Sequence, residues 1–109
     1  MNQEYIQGIE TTNDGQSVFL LYDEVDGCYK AFGHSAYYAD MVADGVLCYS
    51  ETLKMPFMII GDKAVMDLRR NMTVVEHRKH EFYRFKTKVR IGDAGYERWK
   101  ESIAKKNEH

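Results

Sequence analysis

Arg84, Lys86, Lys88 and Arg90 stand at every second position of the run Glu81–Ile91, with Tyr83, Phe85, Thr87, Val89 and Ile91 on the alternate positions. A β-strand sends successive side chains to opposite faces, so the run predicts one long strand with an apolar face and a basic face. At a rise of about 3.4 Å per residue the cationic groups would repeat at about 6.8 Å. Such a row suits a phosphate backbone, which cationic side chains bind by neutralising charge and releasing counterions. The same pattern also describes the solvated outer face of an edge strand, where charge discourages pairing with another chain. Tyr83, Phe85 and Trp99 read as core aromatics in preference to platforms for stacked bases.

Other groupings carry less chemistry. His77 and His80 flank Arg78 and Lys79, whose charge repels a metal cation, so they read as solvent-facing histidines in a basic loop. Cys28 and Cys48 lack CxxC spacing and read as buried thiols. Neither Ser35 beside His34 nor Cys48 with a histidine has the ordered context of a catalytic nucleophile. Asp23, Glu24 and Asp26 lack the spacing of a calcium loop and read as a solvated turn. Phosphate-cradling glycine motifs are missing from the sequence. Tyr22, Tyr29, Tyr37, Tyr38 and Tyr49 are numerous enough to line a small-molecule cleft, although semi-buried packing explains them equally well. These readings assign no catalytic residue, no metal and no cofactor.

The elements that must position the basic row are short. Val18–Tyr22 is a nearly continuous apolar run, as expected of a central strand buried on both faces. Cys28–Phe32 alternates, with Lys30 expected near solvent, Tyr29 and Ala31 inward and Phe32 at the rim. A helix pattern runs from His34 to Ala43, with Gly45 as its stop. Strands at Val46–Tyr49 and Phe57–Ile60 follow, then a helix over Lys63–Arg70 and a strand over Met72–Glu76. After the basic strand, Tyr96, Trp99 and Ile103 recur on one face of a last helix that Asp93 is placed to cap. The tail at 105–109 is expected to fray. Residues 1–16 fit either a short helix or a strand, and the turn signal Asn13-Asp14-Gly15 favours a hairpin. The order β-β-α-β-β-α-β-β-α predicts an α/β (α+β) fold, with a single mixed sheet flanked by two or three helices.

The 109 residues, 44% apolar and 29% charged, suit one globular domain spanning the chain. No run approaches the roughly 18 apolar residues of a membrane helix, and the first eight residues do not resemble a secretory signal. A cytoplasmic protein without a membrane partner is expected. The net charge of -2 conceals a polarity: residues 1–68 hold 3 Lys/Arg against 11 Asp/Glu, and residues 69–109 hold 12 against 6. Balances of -8 and +6 point to nucleic acid, to a complementary partner, or to attraction between the two halves.

The segment from Asp26 to Ala36, DGCYKAFGHSA, Met55-Pro56-Phe57-Met58, and the Lys63–Arg70 helix followed by Met72–Glu76 together carry a likeness. Over residues 17–77 the chain resembles, in degenerate form, the amino-terminal domain of the MutS mismatch-repair proteins. The resemblance implies a mixed α/β domain that meets duplex DNA. That family wedges a Phe into the base stack and places a Glu two residues on, positions held here by Cys28 and Lys30. Cysteine supplies no aromatic wedge and lysine reverses the charge, so mismatch reading by that chemistry is not expected.

The combined expectation is a non-catalytic domain that associates weakly or nonspecifically with a DNA or RNA backbone in a DNA-processing or mobile-element setting. Lys30, Arg84, Lys86, Lys88 and Arg90 are its candidate contacts. A protein-interaction domain without nucleic acid contact is the first alternative, and a small-molecule binder the second.

Overall fold

The sheet assembles around β1 (Ser17–Asp23), whose Val18, Leu20 and Leu21 are all buried. A computed structural model describes residues 2–107. β1 pairs on one side with β2 (Cys28–Phe32), through the register Leu21↔Lys30 and Tyr22↔Tyr29. On its other side it pairs with β6 (Phe82–Lys86), from Ser17↔Lys86 to Leu21↔Phe82. With β3 (Val46–Ser50), β4 (Met55–Ile60) and β5 (Thr73–Arg78), the sheet order is β3-β4-β2-β1-β6-β5. Every ladder is antiparallel. The α+β class and the single helix-flanked sheet match the sequence expectation, with an antiparallel sheet in place of a mixed one and four helices among the described residues.

Alternation divides the sheet cleanly. Val18 and Leu20, Ala31, Met58 and Ile60, and Tyr83 and Phe85 share one face and form a continuous core. Three helices cover it: α2 (His34–Asp40), α3 (Asp62–Asn71) and α4 (Tyr96–Asn107), contributing among others Ala36, Tyr38, Ala64, Leu68 and Ile103. α2 lies across β1, β2 and β4, as the helix after a β1–β2 hairpin must if its apolar residues are to reach the sheet. Tyr83 and Phe85 are core residues, as their positions suggested. Among the described residues no helix is long and apolar enough to cross a membrane.

Three local expectations need correction. The amino terminus is α1 (Gln3–Thr11), not the first arm of a hairpin. Asn2 caps it by accepting the Tyr5 N–H at 3.2 Å, and Ile6 is its buried anchor. The Asn13-Asp14-Gly15 signal is used in the helix-to-strand turn. There Asn13 Oδ1 accepts the Gly15 N–H and Asp14 Oδ1 accepts the Gln16 N–H, while Gly15 takes a φ of 81°.

The basic strand also stops early, at Lys86. Its ladder partner β1 begins opposite at Ser17, and β5 begins opposite at Thr73, so the chain beyond Lys86 has no strand to pair with. It folds back instead, the Thr87 N–H donating to the Gln16 carbonyl and the Ile91 N–H to the Gly15 carbonyl, both at 2.9 Å. β6 is therefore an interior strand, and β5 is the edge. Lys30, finally, does not stand near solvent but is only 9% exposed. Of the tail expected to fray, 105–107 continue α4 and 108–109 lie outside the described residues.

Candidate nucleic-acid interface

The face of the sheet opposite the core carries Phe19 and Leu21 of β1, Phe82, Arg84 and Lys86 of β6, and Arg78 of β5, as the pairings Phe19↔Arg84 and Arg78↔Phe82 require. α1 packs Ile6 next to Leu21 and Phe82 at one end of it. Over the β1–β6–β5 part the side chains interleave. The Arg84 guanidinium lies over the Phe19 ring at 5.5 Å, and Arg78 lies over the Phe82 ring at 5.7 Å. Arg84 also donates from Nη2 to Ser17 Oγ at 3.5 Å, while its buried Nε has no hydrogen-bond partner among the described residues.

The expected row is thus split. Arg84 and Lys86 keep their common face and spacing. Lys88 and Arg90 lie in the loop beyond the strand, both exposed, with Arg90 packed along Gly15. Lys86 approaches Asp14 Oδ2 at 3.7 Å, which couples the basic row to the acidic half of the chain. Burial pushes the Asp14 carboxyl up, but its hydrogen bonds with Gln16 and Ser17 and the nearby Lys86 charge outweigh it and hold the pKa below the ordinary value.

Lys30 is separated from the others by β1 and is held by the turn that follows β1. Its Nζ lies 2.9 Å from Asp23 and 2.5 Å from Asp26. Desolvation pulls the ammonium pKa down, yet the two carboxylates outweigh it and raise the net value. The Lys30 hydrogen bond in turn holds the Asp23 carboxyl below its usual range. The acidic cluster that read as a solvated turn is therefore the counter-charge of a buried lysine, with Asp23 14% exposed in its side chain. Cys28, at the other position singled out by the MutS likeness, is half-buried.

Sequence reasoning missed Phe19, Arg78 and Phe82. Phe82 was legible, because it shares the parity of Arg84 and Lys86. Phe19 and Arg78 join the site only through strand pairing.

The charge polarity of the sequence becomes spatial in the fold. Residues 69–92 hold 8 Lys/Arg against 2 Asp/Glu and fold as one unit: the end of α3, the β5–β6 hairpin and the loop after it. Compared with protein-family models, curated proteins and solved structures, the chain matches none.

Proposed function

We propose that the protein binds nucleic acid without sequence preference, and single strands in particular, on the sheet face formed by β1, β6 and β5. The observation that carries this reading is the pair of arginine–aromatic contacts, Arg84 on Phe19 and Arg78 on Phe82, side by side on one sheet face with Lys86 alongside. Aromatic rings supply stacking that tolerates any base, and the cations meet the phosphates between bases. Lys88 and Arg90 extend the positive charge along the loop. Lys30 is left out of the surface because Asp23 and Asp26 already neutralise it.

Fluorescence anisotropy of labelled single-stranded and duplex oligonucleotides, between about 50 and 200 mM salt, tests the proposal. Saturable binding should appear at tens of micromolar protein or below, tighter for the single strand, with log affinity falling linearly in log salt. Lys86→Gln with Lys88→Gln should flatten the single-strand slope by about 1.4, since each neutralised phosphate contributes about 0.7. Absence of saturable binding to either form at low salt would end this reading.

A protein-interaction role is the second reading, favoured by one specific observation. All six residues of edge strand β5 are exposed, with Val74 38% and Val75 50% accessible. An extended peptide can add a strand to such an edge through its backbone groups. The register shift between Val74 and Glu76 is a device that resists unwanted pairing, which counts against this use.

A further inference from the structure

A polar cleft of about 230 Å³ opens where the end of α1, the turn before β1, the start of α2 and the loop after β6 converge. Glu10, His34, Tyr38, Arg90 and Asp93 line it. Glu10 and His34 satisfy one another: both carboxylate oxygens accept the His34 backbone N–H at 2.9 Å, and Oε2 lies 2.7 Å from Nδ1. The imidazole is further fixed by stacking on Tyr96, 3.7 Å between ring centroids.

Three groups are left over. Tyr38 is only 1% exposed, yet its hydroxyl makes no hydrogen bond among the described residues. Arg84 Nε is the one fully buried side-chain N or O atom without a partner among the described residues, so the Tyr38 hydroxyl opens into the cleft, where a ligand can take the place of water. Arg90 and Asp93 are exposed at the cleft wall and form no ion pair with each other or with another described residue. Gly15 allows the guanidinium to lie there, since a Cβ at that position would meet Arg90 Nε at 2.8 Å.

We propose that this cleft binds a small zwitterion of the free amino acid class, its carboxylate on Arg90, its ammonium on Asp93 and a hydrogen bond on the Tyr38 hydroxyl. One free cation and one free anion beside an already compensated Glu10–His34 pair match a ligand that carries both charges. A phosphate would meet two carboxylates with only one free guanidinium. The volume is the liquid share of roughly eight waters, suited to about six to nine non-hydrogen atoms and below the size of drug-like sites. The cleft shares Arg90 with the proposed nucleic-acid surface, whereas Tyr38 and Asp93 belong to the cleft alone, so Asp93→Asn tests it separately.

The test is a titration of the ¹⁵N-labelled full chain with each standard amino acid in turn, followed by two-dimensional NMR. At least one amino acid should shift the amides of 33–38 and 90–93 saturably, with a dissociation constant below about 10 mM. The N-acetyl and methyl ester derivatives of that amino acid delete one charge each and should bind at least about tenfold more weakly. Arg90→Gln and Asp93→Asn, both at exposed positions, should each weaken binding to a similar degree, and Tyr38→Phe should weaken it at least about threefold. The proposal is overturned if no amino acid binds saturably, if inorganic phosphate binds more tightly than any of them, or if Asp93→Asn leaves the affinity unchanged.

Discussion

Glu10 joins the end of α1 to the start of α2. Its carboxylate caps the first turn of α2 from 24 residues away and grips the His34 ring. Gly33 makes this possible, for a Cβ there would fall on the Glu10 carboxylate, and its φ of 56° belongs to glycine. The hydrogen bond that the imidazolium donates to Glu10 raises the His34 pKa above its ordinary 6.5 against the opposing effect of burial, with Asp93 and Glu97 assisting. Because the folded value exceeds the unfolded one, the stabilisation from the protonated pair is complete below about pH 6.5 and is lost as pH rises through the raised value. An NMR titration of the imidazole should therefore give a midpoint above 6.5, and Glu10→Gln should bring it down. A midpoint at or below 6.5 in the unmodified protein would contradict this account of the pair.

At the scale of elements, α1 stands apart from the three helices over the core. Ile6 is its one buried residue, and Glu10 is its other tether. Such an element sits at the low end of the local stability range, because little apolar area holds it down. Ile6→Ala should loosen α1 locally, so that global stability by urea unfolding falls by less than the about 2 kcal/mol expected of an isoleucine truncated within a cooperative core. Hydrogen exchange should quicken in the amides of Gln3–Thr11 while β1 and β2 keep their protection. Equal loss of protection across helix and sheet would show that α1 is instead integral to the cooperative unit.

Across the whole molecule, the two halves of opposite charge lie side by side in one sheet: β5 and β6, at one end, come from the basic half, and the other four strands come from the acidic half. Asp14 is where the acidic half touches the basic surface, through Lys86. Removing that charge should release the lysine for phosphate contact. Asp14→Asn keeps an oxygen that can accept the Gln16 N–H, so the turn before β1 should hold. Single-strand affinity at low salt should rise about two- to fivefold and the salt dependence should steepen, as expected when a rim charge is altered. Unchanged affinity in the same anisotropy assay would mean that Lys86 makes no contact with the strand.

Most elements were legible locally because each has its own punctuation. Gly27 and Gly33 bound β2, Gly61 separates β4 from α3, and apolar alternation marks the inward positions of β1, β2 and β6. What sequence alone determined is the α+β class, the β1–β2–α2 unit and the parity that puts Phe82, Arg84 and Lys86 on one face. Only tertiary structure decided how far and against what these patterns extend. The alternation of residues 81–91 continues past Lys86, but a strand ends where its partners end, and both begin opposite that residue. Lys30 alternates outward correctly, yet outward means solvent only if nothing covers that face, and here the Asp23–Asp26 turn closes over it. The Arg84–Phe19 contact and the cleft around Tyr38 bring together residues 65 and 52 positions apart, respectively, in the cases of Phe19 with Arg84 and Tyr38 with Arg90. No local propensity encodes such meetings; they follow from which strand pairs with which.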